Sequence, residues 1–275
     1  MKKLLILLAL LNVSISIFSQ GYYSDYDKAV AFHEQQRYAE AIEVYTLVIS
    51  NDSTDWLVWV NRAICYSALG DVNNAQNDIK KALSLNPEDP SLNVAIADFY
   101  AGEGQSKLAI YHYQNAIANH ANFDAMSYYN YGTIYFMMGE KDSAIVYLEK
   151  SWVLDSSNSD VVNNLGWSYL DTEPEKACMY FNEAYLLDSL DASNVNNLGY
   201  SYLMCGDLEI AYMYFQKSES IDSTNSFVFR NYGLYYMHKN DKEKTRENLQ
   251  KAIELGLIEK WGESYILELR SYCQE

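Results

Sequence analysis

Small and bulky apolar residues follow one another along this chain with a repeat distance close to 34 residues. A small residue, alanine in six places and threonine in the seventh, recurs at intervals of 33 to 35 residues from Ala41 to Thr245. A bulky residue follows each of them four positions later, from Tyr45 to Leu249. Because residues three and four apart lie on one face of a helix, each segment is predicted to be a helix that packs against a neighbour.

A second series precedes the first in every unit. It begins with Ala29, Ala63 and Ala97 and continues as four glycines from Gly132 to Gly233, and an aromatic residue follows each member three positions later. Glycine inside a helix costs about 1 kcal/mol relative to alanine. We therefore expect a paired helix to approach closely at the four glycines, and we predict two helices joined by a turn in each unit.

Seven such units are predicted to follow one another without gaps. Their boundaries are 22–55, 56–89, 90–124, 125–158, 159–191, 192–225 and 226–259. In the remaining segment, 260–275, we predict a single capping helix in which Trp261, Tyr265, Ile266 and Leu269 share one face. A terminal cap of this kind covers the apolar side of the last repeat, which water would otherwise reach.

At these positions the sequence resembles the tetratricopeptide repeat family, whose 34-residue unit carries Trp-x2-Leu-Gly-x2-Tyr, then Ala-x3-Phe, then Pro. The matching residues are Leu165, Gly166, Tyr169, Ala177 and Phe181 in the fifth unit and Leu198, Gly199, Tyr202, Ala211 and Phe215 in the sixth. Trp59 and Pro87 occupy the tryptophan and proline places of the second unit. The resemblance implies an all-α protein: an α-solenoid, wound as a right-handed superhelix, of seven helix-turn-helix repeats and a C-terminal capping helix.

The same resemblance implies a binding face. In that family the concave face, lined by the first helix of each repeat, binds an extended peptide or a helix of a partner protein. The sixth place of the repeat is often asparagine, and the corresponding residues here are Asn61, Asn130, Asn164, Asn197 and Asn231. Other positions implied to face the groove are Phe136, Trp167, Leu170, Tyr200, Leu203 and Leu234. Two alternatives stay open: the asparagines hydrogen-bond locally, and some of the apolar side chains belong to the core between repeats.

The apolar groups are expected to supply most of the binding energy. A hydrogen bond contributes about 0.5–1.5 kcal/mol net, whereas ordering a peptide backbone costs about 1–2 kcal/mol per residue. Burying a leucine or phenylalanine of a ligand contributes about 1.5–3 kcal/mol. We therefore expect apolar anchors to drive affinity and asparagines to set the direction and register of a bound peptide.

Residues 1–19 have the pattern of a secretory signal peptide. Lys2 and Lys3 precede an apolar run, and cleavage after Ser19 would leave Gln20 at the mature N-terminus. The exact cleavage site stays open, because Ile17 is larger than the small residue usual at the third place before the cut. No cysteine lies near the end of that run, so the lipid-attachment signal of a lipoprotein is missing. An uncleaved anchor is the alternative, although the run is shorter than the ~20 residues that span a bilayer. The sequence thus predicts an exported protein, periplasmic or extracellular, that is not an integral membrane protein after cleavage.

The net charge and the polar residues reduce the number of functional classes that fit the sequence. With 37 acidic and 20 basic residues the net charge is −17, which argues against a nucleic-acid partner because phosphates would be repelled. His33 and Glu34 do not continue as HExxH, and the four cysteines include no CxxC pair. We therefore predict no catalytic site, no metal site and no cofactor. Cys178 and Cys205 fall on neighbouring helices of the predicted architecture, and whether they form a disulfide stays open.

The leading hypothesis is a non-catalytic scaffold that binds a protein or peptide partner in envelope assembly or secretion. The first alternative is a glycan-binding protein in which tryptophan and tyrosine side chains stack on sugar rings. The second is self-assembly through the terminal repeats, against which the acidic net charge argues mildly.

Overall fold

The computed structural model describes residues 25–274, and the predicted signal peptide and its cleavage site lie outside that range. The described residues form helices and turns, with no strand among them. The helices are α1 (residues 25–34), α2 (Tyr38–Asn51), α3 (Trp56–Ala68), α4 (Val72–Leu85), α5 (Pro90–Gly102), α6 (Ser106–Ala118), α7 (Ala125–Met137), α8 (Lys141–Leu154), α9 (Ser159–Tyr169), α10 (Pro174–Leu187), α11 (Ala192–Met204), α12 (Leu208–Ile221), α13 (Ser226–His238), α14 (Lys242–Glu254), α15 (Leu257–Trp261) and α16 (Leu267–Gln274).

The helices are grouped in two bodies. The N-terminal body ends at Phe123 and the C-terminal body begins at Asp124. Within each body the helices pack in consecutive pairs, α3 with α4 and α5 with α6 in the first, and α7 with α8 through α13 with α14 in the second. The second helix of one pair also packs on the first helix of the next, as α2 does on α3, α8 on α9 and α10 on α11. The predicted all-α solenoid of stacked helix pairs is confirmed.

The core is built from the two residue series that mark the repeat. The small residues from Ala41 to Thr245 are all buried, and so are the bulky residues from Tyr45 to Leu249. A small side chain lets a neighbouring helix approach, and the bulky side chain one turn later fills the space beside it. Apolar packing between successive helices therefore runs along each body.

Aspartate and asparagine side chains cap the first helices of the repeats. The first helices of six pairs begin at an aspartate or asparagine whose side chain accepts a hydrogen bond from a backbone N–H of the first turn: Asp55, Asp89, Asp124, Asn158, Asp191 and Asn225. Such caps satisfy donors that the helix itself leaves unpaired, and a carboxylate there also opposes the positive end of the helix dipole. Part of the acidic excess of the sequence thus serves to start helices.

The four mid-helix glycines lie where another side chain leaves no room for a Cβ atom. A Cβ at Gly166 would lie 2.7 Å from the Phe181 ring of the paired helix, and one at Gly199 would lie 2.8 Å from the Phe215 ring. At Gly132 the close neighbour is Leu148, also on the paired helix, at 2.8 Å. The expected close approach is confirmed at these three positions. At Gly233 the nearest side chain is instead Leu269 of α16, at 3.1 Å.

Gly166→Ala is expected to lower the free energy of unfolding by about 1–2 kcal/mol. Overpacking costs about 1–3 kcal/mol, and a contact of 2.7 Å with the Phe181 ring belongs to the upper part of that range. The cost therefore exceeds the ~1 kcal/mol that alanine gains over glycine in a helix. Gly102→Ala is the control, because a Cβ at Gly102 meets no atom within 4 Å. That control is expected to be neutral or slightly stabilising. Urea unfolding followed by circular dichroism measures both, and a Gly166→Ala protein as stable as the parent would contradict the steric account.

The C-terminal segment differs from the prediction of one helix over 260–275. The chain bends at Gly262, whose φ is +90°, and a 3-10 turn, Glu263–Ile266, separates α15 from α16. Ile266 and Leu269 are buried as predicted, but Trp261 and Tyr265 are 53% and 42% exposed. A left-handed φ interrupts the helical register, so the four residues do not share one face. The cap is instead made by α16, which packs against α13 and α14.

Candidate functional site

The asparagines at the sixth place of the repeat are engaged with the preceding repeat. Four of them donate a hydrogen bond from Nδ2 to a residue 31 to 35 positions earlier in the chain: Asn61 to the Tyr26 hydroxyl (3.1 Å), Asn164 to Thr133 Oγ1 (3.2 Å), Asn197 to Asn163 Oδ1 (2.9 Å) and Asn231 to Asn196 Oδ1 (3.0 Å). These bonds join first helices of successive repeats within one body. The asparagines therefore form an inter-repeat ladder.

Burial separates the members of this ladder. Asn197 and Asn231 are only 8% and 2% exposed, so their side chains do not face a groove. For these two residues the predicted contact with a partner is wrong, and the local hydrogen-bonding alternative describes them. Asn61, Asn130 and Asn164 are half-buried. For these three a role in binding stays a prediction.

An aromatic stack lies beside the ladder in the C-terminal body. The rings of Trp167 on α9 and Tyr200 on α11 are stacked, with centroids 5.6 Å apart and planes at 28°. The edge of Phe181 supports Trp167 at 5.3 Å, and the guanidinium of Arg230 on α13 lies 5.3 Å from the Tyr200 ring. Trp167, Tyr200 and Arg230 are all half-buried. We call these three residues the aromatic shelf.

Hydrogen bonds fix the position of Arg230 on the shelf. Its Nε donates to the backbone carbonyl of Tyr265 at 3.0 Å, and its Nη1 donates to Asn231 Oδ1 at 2.9 Å. Arg230 was not among the residues predicted from the sequence, because the family pattern leaves its position unspecified. The sequence offered one signal for this residue. Arg230 occupies the same place of its repeat as Asn163 and Asn196 do in the two preceding repeats.

The other predicted groove residues divide between surface and core. Phe136 and Leu170 are half-buried and pack against the core of the C-terminal body, as Trp167 does. Leu203 and Leu234 are 1% and 5% exposed and belong to the core itself. Their prediction as groove-facing residues is wrong, because their side chains pack into the core and present almost no surface to a partner.

Asn164 belongs to a polar cluster of α7 and α9. The hydroxyls of Tyr129 and Thr133 and the amide of Asn164 are hydrogen-bonded to one another. Burial, and secondarily the carboxylate of Asp160, raises the pKa of Tyr129 above its ordinary value. The tyrosine is thus neutral at physiological pH, and the cluster presents hydroxyl and amide groups without a formal charge.

Cys178 on α10 and Cys205 at the end of α11 are free thiols. The Cys178 Sγ lies 3.3 Å from the Ser201 hydroxyl, and burial together with the neighbouring Cys178 raises the pKa of the Cys205 thiol. The two thiols are therefore neighbours, and whether they can form a disulfide stays open. Within residues 25–274 no group of three or more histidine, cysteine, aspartate or glutamate side chains is arranged to hold a metal ion.

Comparison with protein families identifies the repeat. Tetratricopeptide repeat models match residues 56–89, which hold α3 and α4, and residues 125–154, which hold α7 and α8. The chain therefore contains tetratricopeptide repeats.

Similar proteins share parts of this repeat protein. The Hsp70-Hsp90 organizing protein 3 of Arabidopsis thaliana is 33% identical over 61 residues, which are 22% of this chain. This chain spans only part of the length of its curated relatives. The match covers 11% of the Arabidopsis thaliana protein and 25% of tetratricopeptide repeat protein 6 of Homo sapiens. Tetratricopeptide repeats generally serve as non-catalytic scaffolds for protein–protein interactions.

Solved structures share the fold at low sequence identity. PilW, described as a widely conserved type IV pilus biogenesis factor, has a TM-score of 0.64 and 20% identity, with 73% of this chain and 93% of PilW aligned. YrrB, described as a tetratricopeptide repeat protein with an unusual peptide-binding site, has a TM-score of 0.59 and 19% identity, with 68% of this chain and 96% of YrrB aligned.

A membrane-spanning helix was also sought among residues 25–274. No helix in this range combines the length and the hydrophobicity that a membrane span requires.

Proposed function

We propose that this tetratricopeptide repeat protein is an exported scaffold that binds a peptide or a helix of a partner protein against the first helices of its C-terminal body. The aromatic shelf is the anchor. The observation that carries the proposal is the stack of Trp167 on Tyr200, since both rings keep part of their surface open to solvent while neighbouring side chains hold them rigidly.

The chemistry of the shelf fits a mixed apolar and acidic partner segment. Aromatic rings that are already ordered lose little conformational freedom on binding, so more of the gain from apolar contact remains as affinity. Arg230 adds a positive charge beside the rings and can pair with a carboxylate or a backbone carbonyl of the partner. Among the predicted asparagines that are half-buried, Asn164 lies closest in sequence to the shelf, three residues before Trp167. Its amide oxygen or remaining N–H orients the partner backbone.

Export is the second part of the proposal. It rests on the signal-peptide pattern of residues 1–19. The similarity in fold to PilW, a pilus biogenesis factor, is consistent with a role in envelope assembly or secretion. The proposal therefore places the partner outside the cytoplasm, in the periplasm or beyond it.

Site-specific photo-crosslinking in intact cells tests both parts. With p-benzoylphenylalanine in place of Tyr200, we expect a defined covalent adduct with one protein, and the mature chain in that adduct should begin at Gln20. The matched control carries the crosslinker at Leu186, a residue of α10 that is 71% exposed and lies outside the shelf. Adduct formation at Leu186 equal to that at Tyr200 would contradict the shelf, and an adduct that retains Met1 would contradict cleavage of the signal peptide.

A further inference from the structure

A pocket of about 480 Å³ lies within the N-terminal body, among α1, the turn after it, α2 and α3. This volume falls in the range of small-molecule sites, which is about 300–1,000 Å³. Its walls include Tyr26 and His33 of α1, Tyr38 and Tyr45 of α2 and Asn61 of α3. None of these residues belongs to the aromatic shelf. We call it the tyrosine pocket.

Tyr45 gives the pocket an unsatisfied polar group. Its side chain is fully buried, and its hydroxyl has no hydrogen-bond partner among the described residues. Buried hydroxyls are nearly always hydrogen-bonded, because losing water without a replacement partner is unfavourable. A buried, unpartnered hydroxyl on a pocket wall is therefore a position where a ligand gains a hydrogen bond that the protein alone does not make.

The charges around the pocket favour a cation. Glu34, an exposed acidic residue, lies on its wall, and among the described residues no lysine or arginine lines it. The carboxylates of Asp27 and Asp55 act on Tyr26, and that of Glu34 acts on Tyr45. Burial lowers the pKa of His33, so its imidazole is neutral at physiological pH. Arg37, the nearest cation that follows in the chain, is paired with Glu40.

The aromatic walls favour the same kind of group. The ring centroids of Tyr26 and Tyr45 are 6.2 Å apart, and those of His33 and Tyr38 are 5.9 Å apart. Faces of tyrosine rings attract ammonium groups through their quadrupole, most strongly where water is partly excluded. The walls also offer an acceptor in Asn61 Oδ1, because the Nδ2 of the same amide is the atom that donates to Tyr26.

We propose that the tyrosine pocket binds a primary alkylammonium group. The ammonium donates to Glu34, to Asn61 Oδ1 and to the Tyr45 hydroxyl, while the alkyl chain lies against the tyrosine rings. Three donors on the ammonium match these three acceptors. An anion would be repelled by the carboxylates, and a neutral apolar group would leave the Tyr45 hydroxyl unpaired. The same chemistry occurs in a lysine side chain of a protein and in a free small amine.

NMR titration of the purified full-length protein tests this proposal. The probes are Nα-acetyl-lysine-methylamide, its Nε-acetylated form and n-butylammonium, and the signals followed are the ring resonances of Tyr26 and Tyr45. We expect the lysine derivative to shift these resonances with a Kd of about 1 mM, as suits a ligand of this size. We expect the Nε-acetylated form to cause no such shift, because it has lost the charge. A lysine derivative that binds more tightly than n-butylammonium indicates a protein lysine as the natural occupant, and equal affinities indicate a free amine.

Two variants separate the pocket's binding role from a structural role. Tyr45→Phe is expected to weaken binding of the lysine derivative about threefold to tenfold. It should leave the thermal midpoint unchanged or raised, because the hydroxyl it removes had no partner. Glu34→Gln is expected to weaken binding by up to about fivefold. Glu43→Gln, an exposed acid-to-amide change on α2 outside the pocket, is the control and should bind as the parent does.

Unchanged ring resonances with every probe would overturn the proposal, as would equal binding of the charged and Nε-acetylated lysine derivatives. Undiminished binding by Tyr45→Phe would also overturn it. None of these outcomes tests the aromatic shelf proposed as the partner-binding site, because the titration uses isolated amines and the pocket shares no residue with the shelf.

Discussion

Replacing Asp78 with asparagine is expected to destabilise the N-terminal body by about 3–5 kcal/mol, because it leaves a buried guanidinium without its counter-charge. Arg62 Nε lies 2.7 Å from Asp78 Oδ2, and Arg62 Nη2 lies 2.8 Å from Asp78 Oδ1. The two side chains are only 12% and 6% exposed. This geometry is a bidentate pair that connects α3 to α4, and little water can replace the missing carboxylate.

The surroundings of Arg62 enlarge the expected effect. Its Nη1 donates to Thr46 Oγ1 on α2 at 2.9 Å, and its guanidinium lies 5.0 Å from the Trp59 ring and 5.7 Å from the Tyr66 ring. Arg62 therefore links three consecutive helices, α2, α3 and α4. Removal of the Asp78 carboxylate is expected to loosen the packing of α2 on α3 as well as that of α3 on α4.

Hydrogen exchange in α3 and α4, together with urea unfolding, measures the change. Asp171→Asn is the matched control, since the Asp171 side chain that pairs with Lys141 is 71% exposed and such pairs contribute about 1 kcal/mol or less. The double variant Arg62→Met with Asp78→Leu is expected to recover most of the stability, because an apolar pair of similar volume needs no counter-charge. A change in Asp78→Asn no larger than in Asp171→Asn would contradict the buried-pair account.

The double variant Trp167→Ala with Tyr200→Ala is expected to weaken partner binding by two or more orders of magnitude, which corresponds to about 3 kcal/mol or more. Burial of one large apolar side chain contributes about 1.5–3 kcal/mol, and the double variant removes two such surfaces. Asn164→Ala is expected to weaken binding less than tenfold, because one hydrogen bond contributes about 0.5–1.5 kcal/mol net. The Asn164 amide is moreover already engaged with Thr133. Apolar burial is therefore expected to contribute more to affinity than the asparagine hydrogen bonds do.

Isothermal calorimetry with the partner identified by crosslinking measures this difference. Leu186→Ala removes a side chain that is 71% exposed and outside the shelf, and it should bind as the parent does. Because Trp167 also contacts Phe181, thermal unfolding of the double variant must show that α9 and α10 still fold, and the single variant Tyr200→Ala serves if they do not. Equal reductions in affinity from the double variant and from Asn164→Ala would reject the dominance of apolar anchors.

The candidate site was only partly predictable. Trp167 and Tyr200 were predicted because they directly follow Gly166 and Gly199, at a place of the repeat that the family resemblance implies to face the groove. Leu203 occupies a place of the same kind one turn later and is buried. A repeat pattern shows which residues share a helix face, but not how far the next repeat rotates to cover that face. That rotation depends on side-chain volumes in other helices, and these are distant in sequence.

The sequence by itself determined the architecture. A period close to 34 residues, spacings of three and four between small and bulky side chains, and glycine at the close approaches encode helix pairs that stack. These are local signals, since one helix turn and one repeat length fix them. Even the tight contact at Gly166 follows from an observation within one repeat.

The tertiary structure decided the partners of the polar groups. The pairing of Arg62 with Asp78, the bond from Asn197 to Asn163 and the unpartnered hydroxyl of Tyr45 each depend on groups brought together from different helices. Many polar residues of this acidic chain would satisfy the same spacing rules. Hydrogen bonds and ion pairs act over a few ångströms and with strict direction, so their partners are fixed only when the helices have packed.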